Sequence, residues 1–118
     1  YVTNCFLATK VSFANEMYDI CEGLGVDYDK VIEYATYDER LGTSHWSVPG
    51  PDGDRGYGGH CFPKDINALI QVALKLDILP PAMLITTNKK NKDVRLNRDW
   101  ESMKGRAVVE KYKLENTK

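Results

Sequence analysis

The side chains most able to do chemistry lie in one short segment, residues 56–65, which has the sequence GYGGHCFPKD. Its glycines predict a tight turn and Pro63 is typical of a first helical turn, so the segment should run into a helix N-terminus. Unpaired backbone N–H groups and the helix dipole favour negative charge at such a terminus. A cysteine placed there, Cys61, would therefore be held more readily as a nucleophilic thiolate.

The neighbours of Cys61 suit a reaction at sulfur. Glycine backbone amides can approach a ligand closely enough to bind a phosphate or a developing oxyanion. Asp65 falls in the first turn of the helix, where its carboxylate could position a water molecule or act as a base. The same pattern also fits a buried, inert cysteine with Asp65 as a capping carboxylate, and the residues alone leave both interpretations open.

Asn4 is the second candidate, and its position depends on the helix predicted over residues 1–22. Large apolar residues recur in and just after this segment at steps of three, four or seven: Phe6, Phe13, Met17, Ile20 and Leu24. This spacing predicts one long helix with a buried apolar stripe. Asn4 lies roughly opposite that stripe, so the helix should be contacted on both sides, as in a core, a subunit interface or the wall of a site. Taken alone, Asn4 is more simply an ordinary polar helix residue.

The remaining elements are also predicted to be helical. Asp27 can cap a helix over about 28–38, Pro63 opens one over about 63–76, and prolines 80 and 81 begin a stretch to about 97. The predicted apolar face of the helix that follows Pro63 consists of five residues: Ala68, Leu69, Val72, Ala73 and Leu76. Because no convincing strand is present, the fold class is predicted to be all-α.

A long loop separates the second and third predicted helices, at about residues 41–62. Eight glycines and prolines fall in it: Gly42, Pro49, Gly50, Pro51, Gly53, Gly56, Gly58 and Gly59. Loops of about 20 residues are uncommon in a compact domain unless they have a function. The sequence therefore predicts a Gly/Pro-rich loop that forms part of the site.

Composition excludes several classes of protein. The chain has 118 residues, 42% of them hydrophobic, which suits one compact domain. Sixteen basic and 17 acidic residues give a net charge of −1, which favours neither a nucleic-acid nor a membrane partner. No apolar run approaches the roughly 20 residues of a membrane span. Three widely spaced cysteines without a CxxC pair argue against a disulfide framework and a metal site, and favour a reducing, cytoplasmic compartment.

Three segments, in this order, resemble one known family. Residues 4–16, NCFLATKVSFANE, resemble the opening of the central domain of the UDP-glucose/GDP-mannose dehydrogenase family. Residues 38–42, DERLG, resemble its Arg-Ile-Gly stretch, and residues 56–65 resemble its catalytic-cysteine motif. The resemblance implies that 1–98 is the helical central, dimer-forming domain and 99–118 a C-terminal tail or linker. It also implies that the N-terminal NAD-binding domain is absent from this chain.

The family resemblance implies a reaction. Members oxidise the C6 alcohol of a nucleotide sugar to a carboxylate in two NAD-dependent hydride transfers, through a cysteine thiohemiacetal and thioester. UDP-glucose is the favoured substrate, with GDP-mannose and UDP-N-acetylhexosamines as alternatives, and the products feed cytoplasmic polysaccharide precursor synthesis. A helical dimerisation module that has lost catalysis is the alternative from another class.

Individual roles follow from the same resemblance. Cys61 matches the nucleophile, Asp65 matches an aspartate that helps the hydrolytic water, and Asn4 matches an asparagine that binds substrate and orients that water. These three make up the implied catalytic set.

The implied binding residues lie around that set. Lys64 matches a residue near the NAD cofactor, and Tyr57 with Gly58 matches the loop that wraps the sugar. Arg40 matches an arginine that reaches the nucleotide sugar of the neighbouring subunit, which implies a homodimer with shared active sites.

The chain departs from the family pattern in three ways. The family's catalytic lysine lies four residues before the matched asparagine, a position that precedes Tyr1. Residues 47–55 are longer than the commonest family version. The sequence shows no GxGxxG motif after a predicted strand. The nearest fragment of that motif, at 23–25, has no predicted strand before it. We therefore expect the isolated chain to have no dehydrogenase activity, and the presence of a further C-terminal nucleotide-binding domain stays open.

Overall fold

Four α-helices make up most of the computed structural model, which describes residues 1–102. They are α1 (Val2–Leu24), α2 (Tyr28–Ala35), α3 (Cys61–Leu74) and α4 (Ala82–Val94). Two short 3-10 helices, Glu39–Leu41 and Asp99–Ser102, follow α2 and α4. No strand occurs within this described part of the chain, so the predicted all-α fold class is confirmed.

α1 ends just before a glycine, Gly25. Gly25 adopts a left-handed conformation (φ 71°), and its N–H bonds back to the carbonyl groups of Cys21 and Glu22. Glycine takes this conformation without the steric cost that a Cβ atom imposes, which is why it commonly ends helices. The helix therefore runs to Leu24, two residues beyond the predicted end.

The buried face of α1 is the opposite of the one predicted. Small and polar side chains pack inward: Cys5, Ala8, Ser12, Ala14, Asn15 and Cys21 are buried. The predicted buried stripe is instead largely exposed, with Phe6 at 66%, Phe13 at 50% and Leu24 at 72%. Small side chains let α3 and α4 approach closely, and the Ser12 hydroxyl donates to the Thr87 carbonyl at 2.8 Å. The periodicity correctly grouped the large apolar residues on one side of α1. It could not show that α3 and α4 pack against the other side.

The core is built around α3. Ile66 and Ile70 are completely buried and contact Cys5 and Ala8 of α1. The apolar face predicted for this helix is therefore partly wrong, because Val72 and Leu76 are each 55% exposed and the isoleucines carry the packing. The error arises because apolar residues lie on several sides of this helix, so periodicity does not single out one face.

The predicted loop is present between Leu41 and Cys61, and it is anchored to the helices. Trp46 is 9% exposed, its indole N–H donates to the Gly42 carbonyl, and its own carbonyl accepts a 2.6 Å bond from the Tyr28 hydroxyl. The Lys10 ammonium lies 5.1 Å from the Trp46 ring centroid and donates to the Leu41 carbonyl at 2.8 Å. The loop thus has its own buried anchor and is not a solvated connection.

The chain turns back after α4. This helix is shorter than predicted and ends at Val94, since Arg95 is extended. The first four residues of the predicted tail 99–118 form a 3-10 helix in which Trp100 is 3% exposed. The rest of that predicted tail lies outside the described residues.

Within residues 1–102, no helix is both long and apolar enough to cross a bilayer.

Candidate functional site

Cys61 is the first residue of α3 and its thiol is exposed. The helix starts two residues earlier than predicted, so Pro63 is its third residue, still within the first turn where a missing N–H breaks no helical bond. The Lys64 N–H makes the first helical bond, to the His60 carbonyl at 2.9 Å. Because the thiol is accessible, the alternative that placed this cysteine in a buried position is wrong on that point.

Cys5 and Cys21 differ from Cys61 in being buried. Burial, together with the nearby charge of Asp65, raises the pKa of the Cys5 thiol. A buried, protonated thiol is a poor nucleophile. Of the three cysteines, Cys61 is therefore the one that can react with a ligand.

Asn4 and Asp65 form a direct pair beside α3. The Asn4 side-chain amide donates to Asp65 Oδ2 at 2.7 Å, and the Lys64 ammonium lies 3.3 Å from Asp65 Oδ1. Asp65 is 7% exposed and lies one helical turn after Cys61, so the two side chains project from the same side of α3. The structure thus brings Asn4 into contact with Asp65, which lies 61 residues later in the sequence and next to Lys64.

The charge state of Asp65 follows from these contacts. Burial raises the pKa of its carboxyl, but hydrogen bonds from Asn4 and Lys64 and the Lys64 charge outweigh burial, so the net pKa is below its usual range. Asp65 is therefore ionised at neutral pH. A carboxylate with a lowered pKa is a weak base and a strong hydrogen-bond acceptor, which suits orienting water better than removing its proton.

His60 lies against the thiol. Its Nε2 is 3.8 Å from Cys61 Sγ, although neighbouring residues in a chain seldom face each other. The ring of His45 packs on Phe62, the residue after Cys61, at a centroid distance of 5.8 Å. Of the two histidines, His60 is the one whose ring lies beside the Cys61 sulfur.

The glycine-rich segment before Cys61 is bonded to α4. Asn91, which is fully buried, accepts the Tyr57 N–H at 2.7 Å and donates to the Tyr57 carbonyl at 2.9 Å. The Gly59 N–H donates to the Asp99 carboxylate at 3.0 Å. These amides were expected to be available to a ligand, but side chains of the protein already occupy them.

The remaining predicted binding residues lie in different surroundings. The Tyr57 ring is 5% exposed and its hydroxyl is 3.3 Å from Asn88 Oδ1, so this ring anchors the loop. The Arg40 guanidinium is 90% exposed and holds Asp38 in two bonds of 3.0 and 2.7 Å, rather than contacting Asp65.

A groove of about 350 Å³ runs between α1 and α4. Phe13, Met83, Thr86 and Lys90 are among its lining residues, and no residue of the segment 56–65 is. The groove therefore borders the exposed apolar stripe of α1 and is separate from the thiol.

Residues 1–102 do not contain a dinucleotide-binding fold. A dinucleotide fold needs strands and a glycine-rich turn that leads from a strand into a helix, and residues 1–102 contain helices and loops only.

Sequence reasoning missed the residues that hold the loop. Arg95 belongs to a basic run with Lys89, Lys90, Lys92 and Arg98, a pattern that is typical of a solvated face, yet its side chain is 1% exposed. The available signal was the spacing of Asn88, Asn91 and Arg95, which places three polar groups on one side of the helix. Spacing alone did not show that this side faces the loop.

Comparison with known proteins identifies the family of this chain. Residues 1–93 match the model of the central domain of the UDP-glucose/GDP-mannose dehydrogenase family. Two relatives come from Bacillus subtilis: UDP-glucose 6-dehydrogenase YwqF is 47% identical over 62% of this chain, and UDP-glucose 6-dehydrogenase TuaD is 36% identical over 92%. A UDP-glucose 6-dehydrogenase of Pseudomonas aeruginosa is 49% identical over 62% of the chain.

The chain spans only 16%, 23% and 15% of the length of these three relatives, in that order. No solved structure matches it significantly. The family match covers most of the chain and contains Asn4, Arg40, Cys61 and Asp65. The chain therefore belongs to the UDP-glucose/GDP-mannose dehydrogenase family and contains its central domain.

Proposed function

We propose that this chain supplies the thiol domain of a UDP-glucose 6-dehydrogenase, which oxidises the C6 alcohol of UDP-glucose to the carboxylate of UDP-glucuronate. The observation that carries the proposal is the exposed Cys61 thiol at the start of α3, one helical turn from the paired Asn4 and Asp65. The names of the relatives support UDP-glucose as the substrate.

Cys61 is the proposed nucleophile. Its thiolate attacks the C6 aldehyde left by the first oxidation, and the new oxyanion takes up a proton to give a thiohemiacetal. Loss of a hydride and a proton converts this adduct to a thioester. Water then adds to the thioester carbonyl, and the C–S bond breaks to release the carboxylate and regenerate the thiol. NAD, when bound, is the acceptor of both hydrides.

Asp65 and Asn4 are proposed to act in the last of these steps. The Asp65 carboxylate is ionised, and the Asn4 amide fixes its orientation through the 2.7 Å bond. A water molecule that donates to this carboxylate would have its oxygen lone pair directed away from Asp65 and toward a carbonyl on Cys61. The pair thus orients the hydrolytic water without needing a strong base.

Substrate and cofactor contacts are proposed for the surrounding residues. The loop at Tyr57 and Gly58 would lie beside the sugar. Because the Tyr57 ring is buried, backbone atoms near Tyr57 would make this contact, and the ring would not. Lys64 is proposed to lie near NAD, and Arg40 to reach the nucleotide sugar of a second subunit, which its exposed side chain supports. A domain outside this chain is proposed to bind NAD.

A homodimer is the proposed assembly. The stripe of Phe6, Phe13, Ile20 and Leu24 leaves large apolar side chains at least half exposed along α1. Residues 6, 13 and 20 are spaced by seven, the repeat that lets two helices pair along their length. A second copy of α1 would cover this stripe. The three free cysteines support a reducing, cytoplasmic location.

The test measures NADH formation from UDP-glucose. We compare the isolated 118-residue chain with the same chain joined to the NAD-binding domain of a relative such as TuaD. The isolated chain should form no NADH, and the joined enzyme should form about two NADH per sugar because an alcohol becomes a carboxylate. A Cys61→Ala variant should lose this activity.

Three results would contradict parts of the proposal. NADH formation by the isolated chain would show that it needs no partner domain for NAD. Retained turnover in Cys61→Ala would exclude the thiol as nucleophile. Faster turnover of GDP-mannose or UDP-N-acetylglucosamine would reassign the substrate.

A further inference from the structure

Arg95 occupies an unusual environment immediately after α4. Its side chain is 1% exposed, and three carboxylates surround it: Asp52, Asp54 and Asp99 lie on its guanidinium, the last two at 3.5 and 4.0 Å. A buried guanidinium is costly to desolvate and stays buried only where its N–H groups are matched by acceptors. Arg95 therefore contacts two separate segments: the loop at 52–54 and the 3-10 helix that begins at Asp99.

The Arg95 guanidinium also bonds the backbone on both sides. Its Nε donates to the Asn97 carbonyl at 2.7 Å and its Nη1 to the Arg55 carbonyl at 3.3 Å. Asp54 accepts the Asn97 N–H at 2.7 Å, so the loop and the chain after α4 are bonded in both directions. This arrangement fixes the loop along the side of α4 that carries Asn91.

Two glycines allow this close approach. A Cβ atom at Gly58 would overlap the Arg95 guanidinium, and one at Gly56 would overlap the Asn91 side-chain oxygen. These glycines therefore serve packing within the chain. This differs from the expectation that their missing side chains make room for a ligand.

The contacts converge on the residues just before the thiol. Asn91 brackets the backbone of Tyr57 with two bonds, and Asp99 accepts the Gly59 N–H at 3.0 Å. Gly59 is two residues before Cys61, and only His60 lies between them. The path from α4 to the sulfur is thus short, and the backbone along it is hydrogen-bonded at two residues, Tyr57 and Gly59, to buried or partly buried side chains.

We propose that Asn91, Arg95 and Asp99, together called the α4 clasp, are positioning residues that hold backbone 57–59 so that Cys61 remains the first residue of α3, facing the Asn4–Asp65 pair. The clasp touches neither substrate nor cofactor in this proposal. Its catalytic consequence rests on the proposed function, whereas its hold on the loop and thiol can be measured without any dehydrogenase activity.

The experiment compares the 118-residue chain with its Arg95→Met, Arg95→Lys and Asp99→Ala variants. Arg98→Met is the matched control, because Arg98 is three residues away but 43% exposed. Hydrogen exchange should show that Arg95→Met lowers protection of the Tyr57 and Gly59 amides by about tenfold or more, with α1 amides unchanged. Arg95→Lys keeps the charge without the planar fork and should fall between Arg95→Met and the wild type.

A second readout follows the thiol itself. Iodoacetamide should alkylate Cys61 at pH 7 about threefold to tenfold more slowly in Arg95→Met and Asp99→Ala, because a frayed first turn presents fewer N–H groups to sulfur. In the joined enzyme, the same variants should lower kcat about 10- to 100-fold, with KM for UDP-glucose changed far less. Arg98→Met should match the wild type in all three measurements.

Several outcomes would overturn the α4 clasp. These residues do not position Cys61 if the Gly59 amide keeps its protection in Asp99→Ala. The same conclusion follows if protection is lost but the alkylation rate of Cys61 is unchanged. If Arg95→Met loses protection throughout the chain, it is unfolded, and Asp99→Ala then decides. An inactive wild-type joined enzyme would count against the proposed function alone, since exchange and alkylation still test the clasp.

Discussion

At the scale of single residues, the site depends on the placement of polar groups more than on their number. Asp65 is held by Asn4 on one oxygen and by Lys64 on the other, so its carboxylate has little freedom to turn. Holding a carboxylate at both oxygens costs conformational entropy. An acidic residue with only a structural role at the surface would not need to be held in this way. This restraint supports a role in orienting water, and substitution of Asp65 tests it.

Asp65→Asn in the joined enzyme should stall the reaction after the second oxidation. The amide is isosteric but uncharged, so the hydrolytic water loses its anionic acceptor and the thioester on Cys61 should persist. Steady-state turnover should fall about 10²- to 10⁴-fold, while a first burst of NADH remains. Mass spectrometry should find the sugar nucleotide on Cys61. Asp77→Asn, at an exposed position just after α3, is the control, and absence of the adduct would contradict this role for Asp65.

Tyr28 gives a prediction about stability and pH. Its ring is 4% exposed and its hydroxyl donates to the Trp46 carbonyl, so Tyr28→Phe should lower the free energy of unfolding by about 1–2 kcal/mol at pH 7. Burial, together with the nearby charges of Asp29 and Cys21, raises the pKa of Tyr28 to about 12, above its unfolded value near 10. Its stabilisation is therefore complete below the unfolded pKa and is lost as pH rises through 12.

Urea unfolding at pH 8 and pH 11 checks this prediction. The difference between wild type and Tyr28→Phe should shrink at pH 11, because only the wild type has this hydroxyl to ionise. Tyr34→Phe serves as the control, since Tyr34 is 62% exposed and should show no comparable change. A constant difference between the two pH values would refute the assignment.

The candidate residues show what sequence can supply at this scale. Cys61, Asp65 and Asn4 were singled out because their types and local spacing carry chemistry, and the structure brings Asn4 onto Asp65. Arg95 was misjudged because burial of a charged side chain depends on acceptors from distant segments. Asp52 lies 43 residues before it, and no local pattern indicates that the two meet.

At the scale of elements, helix positions followed from local rules and helix faces did not. Gly25, Asp27 and Pro63 each mark a helix end or first turn, and the Asp27 side chain accepts the Asp29 N–H as a capping residue should. These signals act within one turn. Which side of α1 is buried depends on where α3 and α4 pack, and that choice uses contacts between residues far apart in the chain.

The exposed stripe of α1 leads to a prediction about assembly. If a second copy covers the stripe, Phe6→Glu places a charge in the interface and should weaken the dimer by about 2 kcal/mol or more, roughly 30-fold in dissociation constant. Light scattering with size-exclusion chromatography should show a dimer for the wild type and a monomer for the variant. The helical circular dichroism should be retained because Phe6 is 66% exposed within one chain.

Leu79→Glu is the matched control for Phe6→Glu. Leu79 is 88% exposed but lies in the connection between α3 and α4, away from the stripe, so this variant should remain dimeric. A monomeric wild type, or equal weakening by both substitutions, would show that the stripe is not the dimer interface.

At the scale of the whole molecule, the loop between Leu41 and Cys61 joins the helices together. Arg55 donates to Asn15 of α1 at 3.0 Å and to Asp19 at 2.8 Å, while Asn91 of α4 holds the segment just after it. Glycine and proline density correctly indicated a long loop. This density did not indicate that the loop helps to hold the domain together. The bonds of the loop are made to side chains of helices on either side of it, which lie far away in the sequence.

Ion pairs of this loop predict how the domain responds to acid. Burial raises the pKa of Asp19, but hydrogen bonds from Lys90 and Arg55 outweigh it and the net pKa is lowered. The Arg95 hydrogen bond likewise lowers the pKa of Asp52. A carboxyl whose folded pKa is depressed contributes stability above its unfolded pKa, near 3.9. That contribution is lost as pH falls through the folded value. The domain should therefore be most sensitive to pH below about 4.

Asp19→Asn separates this contribution from general acid effects. At pH 7 the variant should unfold at lower urea concentration than the wild type, since it loses charged bonds to both Arg55 and Lys90. At pH 2.5 the difference should shrink, because the wild-type carboxyl is then protonated in the unfolded chain and must release that proton to form its ion pairs on folding. Glu22→Gln, one turn further along α1 and exposed, should show no such convergence. If the Asp19→Asn difference is equally large at both pH values, the ion pairs of Asp19 are not what ties α1 to the loop and α4.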